Sequence, residues 1–325
     1  MLIAQDAVRH PVRTIIAVFA AWKLFLFLIA AGSTVVGPAY DTSASLALDA
    51  ASAGKTNSSG SAYSELLARL TSWDAIYYTQ VARRGYLFEQ EWAFGSGLTI
   101  VIESIVKLLT SLGVPNNGHL ESAAGVLVST TSHLLSSLVL NTLGQVVLAD
   151  AKLALLGALL HVFSPAGLFL SAPYSEAPFA LLSFLGYLLY AKSCNSLTPT
   201  THGRAALLTR DAQLLLAGCV FGLATAFRSN GISHGVPFAW EFVQQLSALL
   251  RRRRPSFSAI RRLTVLGVAG LCVAAGSTVP QYVAYRRFCV DGDPTTSALV
   301  AGVGRRPWCD GRLRSIYAFV QVYYW

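Results

Sequence analysis

Long apolar runs separated by short polar segments are the dominant pattern along this chain. The first run, TIIAVFAAWKLFLFLIAA at 14–31, is nearly long enough to cross the roughly 30 Å apolar layer of a bilayer as a helix. Its one charged residue, Lys23, is expected to face other helices. Further runs favour an uncleaved anchor over a cleaved signal peptide, and they lie at 98–114, 123–149, 153–172, 174–191, 213–227, 236–250 and 263–280. The pattern predicts an all-α fold, a multispanning helical membrane protein in which 1–325 form one integral membrane domain.

Composition and charge agree with a membrane protein. Hydrophobic residues make up 54% of the chain and charged residues 13%, about half the share of a typical soluble protein. The net charge is +9, but the cations are scattered between the apolar runs instead of lying on one aromatic-studded face. We therefore expect membrane lipids, and no nucleic acid, among the partners of this chain.

The distribution of arginines predicts which segments face the cytosol. Arg251–Arg254, with the arginines that follow, form a basic segment at 251–262, which we assign to the cytosolic side together with the amino terminus. The first loop, 32–97, and the carboxy-terminal segment, 281–325, are then lumenal.

This map requires an odd number of spans between the first loop and the basic segment, whereas the sequence offers six runs. We prefer 236–250 as an interfacial helix that does not cross, because Glu241, Gln244 and Gln245 are poorly suited to lipid. In the alternative, 153–172 and 174–191 are short helices that meet at Pro173, and one of them does not cross.

Two cysteines and one asparagine bear on the lumenal assignment. Cys289 and Cys309 flank a polar, glycine-rich loop on the expected lumenal side, where an oxidising environment favours a disulfide between them. The alternative is two unrelated thiols. Asn57 begins an Asn-Ser-Ser glycosylation acceptor in the first loop. The other cysteines lie in or beside apolar runs and are expected to be inert buried thiols: Cys194, Cys219 and Cys272.

Three polar clusters are candidates for chemistry. Asp74, after Trp73, opens a helical pattern and is either a first-turn residue beside an interfacial tryptophan or a reactive carboxylate at the membrane surface. Glu176 stands between two apolar runs, where an unpaired carboxylate is costly, and Arg228 stands at the end of another run. The two either line a cavity or neutralise each other. A guanidinium is also well shaped to bind phosphate.

Other candidate sites are weaker. His133 and His161 lie inside apolar runs without a second ligand at helical spacing, so we interpret them as packing residues and expect no metal site. Asp291-Gly292-Asp293 has the spacing of a DxD motif but is interpreted as a turn.

Four segments, taken together, resemble the GPI α-1,6-mannosyltransferases of the endoplasmic reticulum, a family of the GT-C class of multispanning glycosyltransferases. They are SWDAIYY with RRGYLFEQEWAF at 72–94, FSPAGLFLSAPYSE at 163–176, ATAFRSNG at 224–231 and PWCDGRLRSIYAFVQVYYW at 307–325. The resemblance runs from about residue 11 to the last residue, and WAFGSG at 92–97 resembles the fungal members. Relatives continue beyond the position of Trp325, so we expect the chain to be truncated at its carboxyl end.

The resemblance implies a GT-C-type fold with a large first lumenal loop, and an enzyme of the endoplasmic reticulum membrane. Its activity would be transfer of mannose from dolichyl phosphate mannose to the 6-hydroxyl of the first mannose of the GPI precursor, with inversion. Asp74 would be the catalytic base and Arg228 would stabilise the leaving phosphate, with no cofactor or metal required. A small accessory membrane subunit is a further expected partner. The expected substrate-binding residues are Trp73, Tyr77, Glu91, Tyr174, Glu176, Arg228, Asn230 and Gln321.

Two other functions remain open at this point. A lipid or solute transporter would use Glu176 and Arg228 along a translocation path, and predicts inverted internal repeats, which are not evident. A non-catalytic subunit of a GPI-assembly complex would not depend on Asp74.

Overall fold

The computed structural model describes residues 2–37, 41, 43, 62–116, 118–195, 204–251, 256–290, 306–311 and 314–324, and these contain helices and no strand. The glycosylation acceptor at Asn57 and the turn at 291–293 lie outside this range. The α-helices are α1 Leu2–Arg9, α2 Pro11–Val36, α3 Ala62–Leu70, α4 Asp74–Arg84, α5 Ser96–Ser111, α6 Leu120–Leu148, α7 Ala151–Val162, α8 Glu176–Asn195, α9 Arg204–Phe227, α10 Val236–Arg251, α11 Phe257–Tyr285 and α12 Ile316–Tyr323.

Five of the described helices, α2, α6, α8, α9 and α11, are long and apolar enough to cross a membrane, and this confirms the predicted fold class. Helices α9 and α11 run parallel, because successive glycines of α9 meet successive residues of α11. A Cβ atom on Gly218 would lie 2.6 Å from the backbone of Ala269, and one on Gly222 would lie 2.3 Å from the carbonyl oxygen of Cys272. Only glycine permits so close an approach of two helices along their length.

Because α9 and α11 are parallel, the chain between them must return along the bundle. Helix α10 makes this return. Phe238 packs with Leu266 of α11 near the start of α10, and further along Glu241 pairs with Arg262, nearer the start of α11. The prediction that 236–250 is an interfacial helix is therefore wrong. Its polar residues were the reason for that prediction, but the glutamate is neutralised inside the bundle.

Helices α6 and α8 are parallel as well, because Ser129 of α6 bonds to Tyr174 just before α8, and farther along both helices His161 lies against His133 of α6 and Phe184 of α8. The chain between them therefore also returns. Helix α7 covers the first half of the return and ends at Val162. An irregular segment, residues 163–175, covers the second half, with one 3-10 turn at Phe169–Ser171. The alternative in which 153–172 or 174–191 does not cross is therefore wrong too, although 153–172 is a broken leg and not one helix.

The run that does not cross is 98–114, which forms α5. Its first residues touch the end of α9, where Gly95 and Gly97 abut Phe227. Farther along, Ile102 packs at Gly125 in the second turn of α6, and α6 begins nine residues after α5 ends. Both ends of α5 therefore lie at one end of the bundle. Five legs then separate the first loop from Arg251, which satisfies the required odd number.

This geometry defines two ends of the bundle. The site end holds residues 71–97, the start of α8 and the ends of α9 and α11. The far end holds Arg251, the end of α8 and the starts of α9 and α11. The assignment of the site end to the lumen and of the far end to the cytosol stays a prediction.

Candidate functional site

Asp74 is the first residue of α4, at the site end. The preceding residue, Trp73, has φ of +56°, in the left-handed region that a bulky residue rarely adopts. Strained backbone of this kind persists only where neighbouring contacts hold it, and such residues are often found at functional sites. Both side chains are exposed, and the Asp74 carboxylate forms no hydrogen bond or ion pair with the described part of the chain.

The positive charge of Arg228 acts on Asp74. Partial burial raises the pKa of the Asp74 carboxyl above its usual value, and the positive charge of Arg228 opposes that rise. The predicted clusters at 71–74, 171–176 and 228–231 are thus brought together in space. The carboxylate is in contact with solvent and in the field of a guanidinium, which suits a group that takes and releases a proton.

Arg228 also forms an ion pair with Glu176 at the start of α8. This contact supports the interpretation that the two charges neutralise each other, but the pair is incomplete. The side chains are 36% and 29% exposed, respectively, and Oε2 of Glu176 is buried without a hydrogen bond from the described residues. A guanidinium has five N–H groups, so pairing through Nη1 leaves others for an anionic ligand.

Two tyrosines hold the segment around Asp74. The hydroxyl of Tyr174 donates to the carbonyl oxygen of Ser72 over 2.9 Å, two residues before Asp74. In turn, the carbonyl oxygen of Tyr174 accepts a hydrogen bond from Ser129 of α6 over 3.2 Å. The hydroxyl of Tyr78 lies 2.9 Å from that of Ser175, which links α4 to the start of α8. These contacts fix the start of α4 against the bundle.

Glu91 is buried, with only 1% exposed, in the 3-10 helix Glu89–Ala93. Its carboxylate accepts hydrogen bonds from Arg84 and from the backbone N–H groups of Leu87 and Phe88. The structure therefore shows that this predicted substrate-binding residue stabilises the loop, because both of its carboxylate oxygens already accept hydrogen bonds within it.

Cys289 and Cys309 are joined by a disulfide, with Cα atoms 5.6 Å apart. The bond holds Trp308, whose indole N–H donates to Glu89 over 2.7 Å, and Arg306 binds the same carboxylate over 2.7 Å. The carboxy-terminal segment is thereby attached to the loop that follows α4.

The remaining predicted substrate-binding residues lie at three separate positions. Tyr77 stacks on Phe94 with ring centroids 4.7 Å apart, one turn after Asp74. Asn230 is exposed in the 3-10 helix that follows Arg228, and Gln321 is exposed on α12, which packs against α11 and Glu89–Ala93. No contact described for these last two residues brings them to Asp74.

His133 and His161 pack against each other in the bundle, with ring centroids 4.9 Å apart. His133 Nε2 lies 3.1 Å from the carbonyl oxygen of His161, and Ser136 lies 2.8 Å from Nε2 of His161. Among the residues that the structure describes, no three His, Cys, Asp or Glu side chains lie close enough to hold a metal ion.

A cavity of about 290 Å³ lies beside Trp73. Its walls are mostly apolar, and Arg69 and Ser72 add polar groups. Leu168, Phe169 and Ala172 come from the irregular segment 163–175. The contacts of Ser129 and Ser175, and the placement of this irregular segment, were not predicted from the sequence. Serines are too common for a pattern to single them out, although Tyr78 follows Asp74 at helical spacing.

The sequence of this chain is similar to those of several known proteins. A family model described as mannosyltransferase (PIG-V) matches residues 14–325. "GPI mannosyltransferase 2" of Chaetomium globosum is 50% identical over 331 residues, which cover 97% of this chain and 69% of that protein. The protein of the same name in Gibberella zeae is 40% identical over 98% of this chain and 68% of its own length.

A mammalian relative is more distant. "GPI alpha-1,6-mannosyltransferase 2" of Mus musculus is 30% identical over 80% of this chain and 52% of its own length. No solved structure matches the chain. Since the family model covers the chain from the first membrane helix to the last residue, this chain belongs to the PIG-V mannosyltransferase family.

Proposed function

We propose that this protein transfers mannose in an α-1,6 linkage to the GPI precursor, with dolichyl phosphate mannose as donor. The observation that carries the proposal is the match of residues 14–325 to the mannosyltransferase family, joined to an exposed Asp74 at the site end that forms no ion pair with any described residue. The names of the relatives supply the GPI precursor and the α-1,6 linkage. The donor and the inverting mechanism are our inference.

The proposed chemistry is a single displacement. The donor is β-linked and the product is α-linked, so the acceptor oxygen must attack the anomeric carbon from the face opposite the leaving group. Asp74 takes the proton from the attacking 6-hydroxyl as that oxygen forms its bond to carbon. The bond from carbon to the phosphate oxygen breaks, and dolichyl phosphate leaves with the electron pair. The accessible carboxylate and its raised pKa support this role.

Arg228 stabilises the phosphate that leaves. Its guanidinium is half-buried and retains N–H groups that Glu176 does not use, and charge-assisted bonds to phosphate are strong in such surroundings. The leaving group is a phosphate monoester without a nucleotide pyrophosphate, so the reaction requires no divalent ion. We expect chelation by EDTA to leave the rate unchanged.

The cavity beside Trp73 suits part of a lipid-linked substrate, because its walls are mostly apolar. Its volume is close to the lower limit of the range for ligand sites. With a lipid-linked donor and acceptor, we infer that the protein acts in the endoplasmic reticulum membrane, with the site end lumenal. Its partners are the two glycolipids, membrane lipids and a small accessory subunit.

An assay with defined substrates tests this proposal. Microsomes that lack the cell's own enzyme but contain the full-length protein are supplied with dolichyl phosphate [³H]mannose and a GPI precursor with one mannose. We expect a two-mannose product whose label is released by an α-1,6-specific mannosidase. Product that resists this enzyme, or no product when the protein is inserted and folded, would contradict the proposal.

A further inference from the structure

Lys23 lies in the middle of α2 and is buried, with 4% of its surface exposed. Its Nζ atom donates to the carbonyl oxygen of Gly167 over 2.8 Å and to the hydroxyl of Ser171 over 2.6 Å. The ring of Phe19 lies 5.4 Å from the same atom. Within the described part of the chain, no carboxylate forms an ion pair with this ammonium group.

A buried amine without a counter-ion is costly in a membrane helix. An apolar side chain of the same length would avoid that cost but would leave the Gly167 carbonyl group and the Ser171 hydroxyl without this donor. The presence of a lysine in α2 is therefore explained by its two acceptors. Both acceptors of the lysine lie on one short stretch of the irregular segment 163–175, which points to a role in fixing that stretch.

The irregular segment lies very close to α2. A Cβ atom on Gly167 would lie 2.7 Å from Cδ1 of Leu26 and 3.1 Å from Nε1 of Trp22. Because Gly167 has no side chain, its carbonyl group comes within hydrogen-bonding distance of Lys23. The lysine thus holds the segment at the point where it touches α2.

The same segment is bonded to the backbone just before Asp74. Tyr174 follows Ser171 by three residues and donates to the carbonyl oxygen of Ser72, two residues before Asp74. The main chain at 163–175 has no continuous helix to keep it rigid, so its position depends on side-chain contacts at a few points. Lys23 makes two of these contacts, and Ser129 makes another at the carbonyl oxygen of Tyr174.

We propose that Lys23 is a positioning residue for mannosyl transfer: it fixes the irregular segment against α2 and, through Tyr174 and the Ser72 carbonyl group, sets the placement of Asp74. This inference rests on the proposed role of Asp74 as base. Lys23 does not touch the substrate, and its effect reaches the reaction only through the segment that it holds.

A double-mutant cycle in the full-length enzyme tests the inference. Lys23→Met removes the donor and keeps an unbranched apolar side chain, and Tyr174→Phe removes the next hydrogen bond in the chain of contacts. We expect Lys23→Met to lower kcat about tenfold, because a displaced base loses its alignment, with KM for the acceptor within about twofold of wild type. Since both substitutions break the same path, the double variant should be no slower than the slower single variant.

The outcomes that overturn the proposal are equally definite. If the two losses multiply, Lys23 acts independently of Tyr174. If Lys23→Met has the kcat of the wild type, the lysine positions nothing. Asn141→Leu is the matched control, since Asn141 is 3% exposed on α6 towards the far end and is expected to leave kcat unchanged. A loss of kcat in this control equal to that of Lys23→Met would mean that any buried polar group has the same effect.

A second variant covers the case in which Lys23→Met does not insert or fold. Ser171→Ala removes one acceptor and leaves the bond to Gly167, so kcat is expected to fall about threefold, without further loss on adding Tyr174→Phe. An unchanged kcat in Ser171→Ala would then overturn the proposal. Asp74→Asn, assayed beside these variants, separates the two claims: if Asp74→Asn is as active as wild type the proposed base is wrong, and if it is inactive while Lys23→Met is normal only the positioning role fails.

Discussion

The two ends of the helix bundle contain similar charged residues in different states. At the far end, Oε1 of Glu241 accepts a hydrogen bond from Nε of Arg262 over 2.7 Å and lies 2.5 Å from its Nη2, and Asp211 forms an ion pair with Arg261 over 3.1 Å. At the site end, Asp74 has no hydrogen-bond partner among the described residues, and one oxygen of Glu176 has none either.

The difference indicates which charges serve the fold. Charges that are mutually satisfied inside a bundle hold helices together, and removal of one partner exposes the cost of the other. Charges that are left incomplete at a solvent-exposed surface are available to a substrate. By this criterion the paired carboxylates of the far end serve the fold, whereas Asp74 is the candidate for catalysis, and the following predictions test that division.

The largest effect is expected from Asp74→Asn, which is nearly isosteric but cannot accept a proton. Loss of a general base lowers the rate by about 10²–10⁴-fold. Transfer is measured in microsomes with the full-length protein at saturating donor and acceptor. The amount of folded protein is checked by fluorescence-detected gel filtration, and transfer close to the wild-type rate would show that Asp74 is not the base.

Arg228→Gln is expected to slow transfer by roughly 10–100-fold, because a charge that stabilises the leaving phosphate is lost. The base acts in its ionised form, so the rate rises with pH through the pKa of Asp74. The positive charge of Arg228 lowers that pKa, and its removal should move the acid limb of the pH profile to higher pH.

Arg261→Gln at the far end is the control for this experiment, since Arg261 pairs with Asp211 and not with the site. Its acid limb should coincide with that of the wild type. If the acid limb of Arg228→Gln stays at the wild-type pH or moves to lower pH, Arg228 does not lower the pKa of Asp74.

Glu241→Gln should have little effect on transfer per folded molecule but should destabilise the protein. The substitution removes the nearer carboxylate of the buried Arg262 and leaves only Asp211, 4.0 Å away, at a cost of about 3 kcal/mol in the free energy of unfolding. Thermal denaturation in detergent measures this cost. Unchanged stability together with reduced transfer would reverse the roles given to the two ends.

Insertion of glycosylation acceptors should show which side of the membrane each end of the bundle faces, without any effect on catalysis. An acceptor near 295 is expected to be modified and one near 255 is not, because α11 separates the far end from the site end. Modification near 255 would place the far end in the lumen and invert the map.

The sequence predicted much of this molecule because all of the apolar runs except 153–172 coincide with single helices and the three polar clusters do converge. It did not identify α5 as the run that stays at one end, since its 16 residues are as apolar as those of a span. What decides its position is the packing of Gly95 and Gly97 on Phe227, which is a tertiary contact.

Individual roles within the site were harder to predict. Glu91 and Asp74 are both carboxylates in the same polar stretch, but Glu91 bonds to the backbone of its own loop and Asp74 does not. The left-handed conformation of Trp73 also has no signature in the sequence, because a bulky residue takes a positive φ only where tertiary contacts hold it.

The central claim is that Asp74 is the group whose ionisation controls transfer. The most direct test is the pH dependence of kcat for the wild type and for the residual activity of Asp74→Asn, measured in the same preparation with both substrates saturating. We expect the wild-type rate to rise from acid to neutral pH, whereas the residual rate of the variant is flat over that range. An acid limb that persists in the variant at the same pH would contradict the claim.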